Sequence, residues 1–197
     1  MRVVAGKWKG RKLRAPRGLD VRPTTDRVRE AIFSILGEWV VGAKVLDLFA
    51  GTGAMAIEAL SRGAAGAVLV ESSPAAVAVL RENLASLDAS SAVCLPLDYK
   101  KALRRLAGGR EVFSLVFIDP PYGRGLIGEA VSMLDEAKVL APGAIVVAES
   151  DRRDPIEKAP TGWVMKSERR YGDTTVLFYE AGPETESQMG GTSEEDR

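Results

Sequence analysis

Histidine is absent from this 197-residue chain, so imidazole is excluded as a catalytic base, a proton shuttle or a metal ligand. The one cysteine, Cys94, can form neither an internal disulfide nor a multi-cysteine zinc site, which is typical of a reducing compartment. No stretch approaches the roughly 18 consecutive apolar residues of a membrane-spanning helix. With 46% hydrophobic residues the chain can bury one sizeable core. We therefore expect one folded domain that is soluble, cytoplasmic and monomeric and uses no metal.

Net charge is also absent, but the charges are segregated along the chain. Met1–Arg29 contains 10 Lys or Arg and 2 Asp, whereas Ala181–Arg197 contains 5 acidic residues and 1 basic residue among Gly, Ser, Thr and Pro. The first segment is interpreted as a basic N-terminal arm, and the second, which has hardly any large apolar side chain, as a disordered acidic tail. Residues 30–180 remain for the folded domain.

Short runs of Val, Leu and Ile alternate with helical patterns, which predicts an α/β fold with a mostly parallel sheet. A helix is expected over Pro74–Leu87, with Ser73 as its N-cap, and another over Val28–Leu36. The alternation predicts helices on both faces of the sheet, and the last two strands form a hairpin at its edge. The predicted strands are Lys44–Phe49, Ala67–Glu71, Ala92–Leu97, Ser114–Asp119, Ala144–Glu149, Trp163–Glu168 and Thr174–Glu180.

A glycine turn follows the first predicted strand and leads into a helix over Met55–Arg62. Gly51 and Gly53 let the backbone approach a ligand, and the helix N-terminus presents unpaired amides. The segment also fits the G-x-G-x-x-A pattern of dinucleotide folds, with Glu71 placed for a ribose, so an NAD-dependent oxidoreductase is one alternative. Asp47, just before the turn, would repel a pyrophosphate but attract the ammonium of a methionine moiety. This carboxylate favours S-adenosylmethionine over NAD.

A second motif, Asp119-Pro120-Pro121-Tyr122, follows the apolar run Leu115–Ile118 at the carboxyl end of a central strand. The prolines donate no amides, so the Asp119 carboxylate and the Pro120 carbonyl form an acceptor pair suited to the two hydrogens of an amino group. Tyr122 offers a flat surface for a flipped-out base. The motif predicts methyl transfer to an exocyclic amine, either guanine N2 or adenine N6. A proline-stiffened structural loop is the alternative.

With these two motifs, the chain resembles the amino-methyltransferases of the Rossmann-like class. It resembles more closely the bacterial 16S ribosomal RNA guanine-N2 methyltransferase D family. The segments that carry the closer resemblance are Gly6–Leu13, Arg22–Glu30, Asp47–Gly53 and Arg170–Thr174. Only Ala181–Arg197 lies outside the resemblance.

The resemblance implies a three-layer Rossmann-like fold with a seven-stranded, mostly parallel sheet that ends in an antiparallel hairpin. It also implies transfer from S-adenosylmethionine to the N2 of a guanine in 16S rRNA, within the 30S subunit or an assembly intermediate. By position, Asp119, Pro120, Pro121 and Tyr122 would hold the target amine. The implied cofactor contacts are Asp47, Phe49, Gly51, Thr52, Gly53, Glu71, Ser72, Asp98 and Tyr99. For Asp98, an adenine contact and a helix N-cap remain equal alternatives. For the whole chain, adenine-N6 transfer on DNA or RNA remains the alternative activity.

The basic arm predicts a phosphate-binding surface, and its alternative is an ordinary solvated arm. Trp8 would either stack on a base or anchor the arm in the core. A further alternative function is a non-catalytic RNA-binding module, which is supported by the basic arm alone. Methylation of a pyrimidine carbon is disfavoured because Cys94 lies within a predicted strand, away from both motifs. The candidate RNA contacts are Lys7, Lys9, Arg11, Lys12, Arg14 and Arg22.

Overall fold

The computed structural model describes residues 1–15, 26–121, 125–151 and 159–182. No helix within these ranges is long and apolar enough to cross a membrane. A short 3-10 helix, Gly37–Val40, follows the first α-helix. The other elements, in chain order, are α1 Asp26–Leu36, β1 Lys44–Asp47, α2 Ala54–Ser61, β2 Gly66–Val70, α3 Pro74–Ser86, β3 Ala92–Leu95, α4 Tyr99–Ala107, β4 Phe113–Ile118, α5 Leu126–Glu136, β5 Leu140–Asp151, β6 Val164–Tyr171 and β7 Thr174–Glu180.

The seven strands form one sheet in the order β3-β2-β1-β4-β5-β7-β6. The first five are parallel, and β7 pairs antiparallel with both β5 and β6. This arrangement confirms the predicted seven-stranded, mostly parallel sheet with its terminal hairpin. The strand order reverses between β1 and β4, and open α/β sheets bind ligands beside the carboxyl ends of the strands at such a reversal.

The sheet lies between two layers of helices, with an apolar cluster on each face. The helices α1, α2 and α3 cover one face, where the rings of Phe33 and Phe117 pack with their centroids 5.8 Å apart. The helices α4 and α5 cover the other face through side chains such as Leu103 and Leu134, which are 1% and 0% exposed. The three predicted layers are therefore confirmed.

Local sequence explains several element boundaries. Ser73 caps α3 by accepting a hydrogen bond from the amide of Ala76 at 3.5 Å, with Pro74 in the first turn, as predicted. The strands predicted over Lys44–Phe49 and Ser114–Asp119 end earlier, at Asp47 and Ile118, because the chain leaves the ladder there to form the loops above the sheet.

The N-terminal arm is a hairpin that packs on the domain over the described residues 1–15. Arg2 and Lys12 form an antiparallel bridge, while Val3 and Leu13 are 1% and 6% exposed within the core. Trp8 is partly buried against the same cluster, as expected of an anchor. Burial of one residue on each side of the turn fixes the hairpin to the domain.

Two predicted features lie partly or wholly outside the described residues. Arg22 belongs to the undescribed residues 16–25, and most of the predicted acidic tail, residues 183–197, is also undescribed. The first residue assigned to that tail, Ala181, is buried, and its amide donates to the carbonyl of Ala144 at 2.8 Å. The ordered domain therefore extends past residue 180.

Candidate functional site

Four neighbouring parallel strands each carry a carboxylate in the strand or directly after it, at the same edge of the sheet. We call these side chains the carboxylate row, which in spatial order consists of Glu71 after β2, Asp47 in β1, Asp119 after β4 and Glu149 in β5. Side chains alternate between the faces of a strand. The residues two positions before each carboxylate all lie in the cluster beneath α1, α2 and α3: Leu69, Val45, Phe117 and Val147. The row therefore faces that layer and spans the reversal between β1 and β4.

Asp47 is the most deeply buried member with an open acceptor. Its side chain is 3% exposed, and its Oδ2 has no hydrogen-bond partner among the described residues. Burial, followed by the charges of Asp119 and Glu71, raises the pKa of Asp47 to about 7, although backbone amides of Phe49 and Ala56 oppose the rise. A buried carboxylate with an unfilled acceptor site suits a cationic donor.

The two glycines of the turn differ in their surroundings, although the same role was predicted for both. Gly51 has φ +54°, and a Cβ at this position would meet no atom within 4 Å, so open space lies above it. Gly53 has φ +83°, and its Cβ would lie 2.5 Å from Cδ1 of Leu80 in α3. Gly51 therefore borders space for a ligand, whereas Gly53 permits close packing of the turn against α3.

Glu71 shapes this turn through two hydrogen bonds. Its Oε2 accepts from the amide of Gly51 at 2.9 Å, and its Oε1 accepts from the amide of Ser73 at 2.7 Å. An ionised carboxylate has about four acceptor sites, so ribose hydroxyls can still donate to it. Ser72, between these contacts, is exposed.

Phe49 and Tyr99 lie against each other, with ring centroids 5.0 Å apart. The Tyr99 hydroxyl donates to Oε2 of Glu129 at 2.7 Å, and burial followed by this hydrogen bond holds the pKa of Tyr99 above its usual range. Asp98 caps α4 by accepting from the amide of Lys101 at 3.0 Å, a bond that lowers the pKa of Asp98. The N-cap alternative for Asp98 is thus observed, and its contact with adenine stays a prediction.

The Asp-Pro-Pro-Tyr motif begins where β4 ends. Asp119 is half-buried, Pro120 is buried and Pro121 is exposed, whereas Tyr122 lies outside the described residues. The charge of Asp119 contributes to the raised pKa of Asp47. The two predicted motifs therefore meet across the β1–β4 reversal.

Glu149 was not among the site residues predicted from the motifs. It is 6% exposed, and because Ile118 pairs with Ala148, it lies level with Asp119 on the neighbouring strand. A carboxylate that ends the apolar run Ile145–Ala148 was the available signal, since Asp47 and Asp119 end their strands in the same way.

The docking site of the arm was also missed. Glu58 of α2 is 0% exposed and accepts from the amides of Val4 and Ala5 at 2.7 and 2.9 Å. Oγ of Ser61 donates to the carbonyl of Ala5 at 2.6 Å and accepts from the amide of Trp8 at 3.0 Å. A buried carboxylate in an otherwise apolar helix, Ala54–Ser61, was the signal for such a contact.

The predicted RNA-binding side chains divide into two groups. Nη2 of Arg11 donates to the carbonyl of Ser86 at 2.6 Å, and Nη1 of Arg14 donates to Oε2 of Glu82 at 2.6 Å, so both arginines contact α3. The amine of Lys7 lies 4.1 Å from the centroid of the Trp8 ring. The group without a side-chain hydrogen bond or ion pair among the described residues consists of Lys9 and Lys12, both exposed.

Comparison with known proteins supports a single family assignment. The model of the family described as "Conserved hypothetical protein 95" matches residues 1–180. The ribosomal RNA small subunit methyltransferase D of Escherichia coli K12 is 38% identical over 95% of this chain and 93% of its own. A putative rRNA methyltransferase of Bacillus subtilis is 37% identical over 91% of this chain and 98% of its own.

A solved structure of a similar protein has the same fold as this chain. The structure of a putative methyltransferase from Escherichia coli superposes with a TM-score of 0.82 and 38% identity, and the match covers 92% of this chain and 98% of that one. This chain therefore belongs to the family that its matching model describes as Conserved hypothetical protein 95, which contains the ribosomal RNA small subunit methyltransferases D.

Proposed function

We propose that this protein transfers a methyl group from S-adenosylmethionine to the exocyclic N2 of a guanine in 16S rRNA, acting as a monomer in the cytoplasm. The observation that carries this proposal is the buried Asp47 carboxylate, whose Oδ2 has no hydrogen-bond partner in the described part of the chain and which lies near Asp119. Asp47 thus offers an acceptor to a cofactor cation, and Asp119 lies close to it where a substrate amine would bind. Family membership supports the reaction class.

The residues around Asp47 fit the parts of this cofactor. Asp47 would accept from the ammonium of the methionine moiety, and the open space at Gly51 would admit the ligand against the backbone. Glu71 would take the ribose hydroxyls on the acceptor sites left beside its two amide bonds. Asp98 and Tyr99, at the start of α4, would border the adenine.

The target amine would lie at Asp119. When bound, S-adenosylmethionine supplies an electrophilic methyl group on its sulfonium. The Asp119 carboxylate and the Pro120 carbonyl accept hydrogen bonds from the two amine hydrogens and so orient the nitrogen lone pair toward the cofactor side. Transfer would form the N–C bond as the C–S bond breaks, and Asp119 would accept the amine proton and pass it to solvent.

Guanine and RNA are favoured over adenine and DNA by the family relationship. The acceptor pair serves either amine, so the motif alone leaves adenine N6 open. The relative from Escherichia coli is named as a methyltransferase of small-subunit ribosomal RNA, which favours a 30S particle or an assembly intermediate as the substrate here. The exposed Lys9 and Lys12 are suited to phosphate contacts.

Cofactor affinity is expected to fall as the pH is lowered below 7. Asp47, with its pKa at about 7, is mostly protonated at pH 6 in the free protein, and it must lose that proton to bind an ammonium. Each pH unit below 7 should therefore weaken binding by up to about tenfold, because one proton is released on binding. Calorimetry with S-adenosylhomocysteine, the product that retains this ammonium, measures the effect between pH 5.5 and 7.

Asp47→Asn is the matched control for this titration, because it keeps the shape but cannot ionise. Its affinity should be weak and independent of pH over the same range. The stability of the ligand-free wild type should change with pH in the opposite direction to its affinity. Because the pKa of Asp47 is raised in the folded state, the free energy of unfolding should fall as the pH rises from 3.8 to about 7. A wild-type affinity that stays flat down to pH 5.5 would remove Asp47 from the ammonium site.

Neutralising Lys9 and Lys12 with glutamine should weaken binding to 30S particles and flatten its salt dependence. Counterion release gives roughly 0.7 to 0.9 log units of slope per phosphate contact, so two lost contacts should reduce the slope by about 1.4 to 1.8. Affinity for S-adenosylhomocysteine should not change. Titration of 30S particles at several salt concentrations measures the slope.

Arg104 and Arg105, in the last turn of α4 on the opposite face of the sheet, provide the control pair. Their replacement by glutamine should leave the slope within about 0.3, well below the change from one lost phosphate contact. Parallel log–log plots for wild type and the lysine variant would place the RNA surface elsewhere.

The nucleoside product distinguishes the proposed function from its alternative. Purified protein and S-adenosylmethionine should be incubated with unmethylated 30S particles, free 16S rRNA and double-stranded DNA, and the nucleosides analysed by mass spectrometry. We expect N2-methylguanosine, with the rRNA substrates alone. N6-methyladenosine or methylated DNA would support the adenine alternative, and no product with any substrate would contradict both.

A further inference from the structure

One buried side chain joins the N-terminal arm to the turn that borders the candidate cofactor site. Asn83 of α3 is 1% exposed. Its Oδ1 accepts from the amide of Arg14 at 2.8 Å, and its Nδ2 donates to the carbonyl of Arg14 at 3.1 Å and to the carbonyl of Thr52 at 3.0 Å. Two segments far apart in the sequence thus share one amide group.

The chemistry of these contacts requires an amide side chain. Asn83 uses both of its donor hydrogens and one acceptor site, so neither a carboxylate nor an apolar residue of similar size can replace it. Because the group is buried, water cannot readily take over a lost bond, and the Thr52 carbonyl would be left unpaired. The sequence pattern of α3 explains the burial of Leu80 and Leu84 but not that of a polar residue between them.

The contact holds the turn from α3, in addition to the hydrogen bonds made by Glu71. Glu71 holds the amide of Gly51 from β2, and the amide of Gly53 donates to the carbonyl of Ala50 at 2.7 Å. Asn83 holds the intervening Thr52 from α3. Of these contacts, the one made by Asn83 also reaches the arm.

We propose that Asn83 is a positioning residue that couples docking of the N-terminal arm to the conformation of the Ala50–Gly53 turn. A ligand that binds the arm then changes the affinity of the turn for its own ligand, and by linkage the reverse effect has the same size. That the two ligands are RNA and S-adenosylmethionine rests on the proposed function. The coupling itself is a property of the chain.

The first experiment requires no ligand. Arg14→Pro deletes the backbone N–H that donates to Asn83, and Asn83→Asp deletes both side-chain donors while keeping the shape. Hydrogen exchange of the amides of residues 50–53 should be faster in each variant, by about tenfold. Arg14→Ala, which retains the backbone N–H, and Glu82→Gln, which changes only the exposed ion pair with the Arg14 side chain, are the matched controls and should exchange like the wild type.

The second experiment measures S-adenosylhomocysteine affinity by calorimetry, also without RNA. Arg14→Pro and Asn83→Asp should each weaken binding about tenfold, within the usual range of coupling between sites. The double variant should be little weaker than either single variant, because both changes break the same connection. A purely structural role would lower the melting temperature without changing the affinity of the folded protein.

The outcomes separate this inference from the proposed function. A folded Arg14→Pro variant with wild-type exchange in residues 50–53 would overturn the coupling, whatever the protein methylates. Faster exchange in Arg14→Pro, with no S-adenosylhomocysteine binding even by the wild type, would retain the coupling and reject the proposed cofactor. Additive losses of affinity in the double variant would also overturn the inference.

Discussion

Replacing Asp119 with alanine should abolish methyl transfer while affinity for S-adenosylhomocysteine stays within a few-fold of wild type. The carboxylate lies at the end of β4 beside the β1–β4 reversal, where it would accept a proton of the target amine. Losing one oriented polar partner of a reacting group typically reduces turnover by about 10² to 10³-fold, and proton acceptance adds to this loss. Single-turnover transfer to 30S particles, with calorimetry on the same protein, measures both quantities.

Asp119→Asn is the matched variant, because it keeps one acceptor oxygen but cannot accept the proton. Its turnover should fall between those of the wild type and Asp119→Ala. Near-normal turnover in Asp119→Ala would remove this carboxylate from the transfer step. A large loss of cofactor affinity would instead assign it to the cofactor site.

Replacing Gly51 with valine should reduce S-adenosylhomocysteine affinity by about 100-fold or more, which corresponds to roughly 2.7 kcal/mol. The backbone of Gly51 has φ +54°, a region that a β-branched residue rarely adopts, and the added side chain would project into the open space above the turn. Calorimetry on protein shown to be folded by circular dichroism measures the loss.

Gly53→Ala provides the contrast, because its Cβ would lie 2.5 Å from Cδ1 of Leu80. This variant should lower the free energy of unfolding by about 1 to 3 kcal/mol, through overpacking and the left-handed backbone. A folded Gly51→Val protein with wild-type affinity would show that the ligand does not approach the backbone there.

Most of the fold was predictable because its central strands are buried on both faces. Leu115 and Val116, for example, are both 0% exposed, and they belong to the continuous apolar run Leu115–Ile118 of β4. Strand ends were less predictable, since they depend on where a neighbouring strand stops pairing. The end of β6 was also mispredicted. It was expected at Glu168, but the strand continues to Tyr171 because its exposed polar residues still pair with β7.

Residues of the candidate site were predictable where a short stretch of sequence is enough to place them. Asp47 and Asp119 each follow an apolar run, so their positions at the carboxyl edge could be inferred from the pattern. The partners of Glu58 and Asn83 could not be inferred, because Val4 and Arg14 lie 54 and 69 residues away. Such contacts appear only when the helices and the arm are packed together.

The fold itself leaves the substrate open, since one fold supports many reactions. The difference between a guanine-N2 and an adenine-N6 enzyme resides in the groups that contact the base. Here Asp119 and Glu149 lie level on neighbouring strands, beside the position that we propose for the base. The methylated base is therefore the quantity that most needs to be measured.

Mass spectrometry of 16S rRNA from cells that lack this gene is the most direct measurement of the central claim. The nucleoside digest should lack one N2-methylguanosine per 16S rRNA that the parent strain contains. A plasmid copy of the wild-type gene should restore it, and a copy carrying Asp119→Ala, expressed at the same level, should not. Identical methylguanosine content in parent and deletion strains would contradict the claim, as would the loss of an N6-methyladenosine instead.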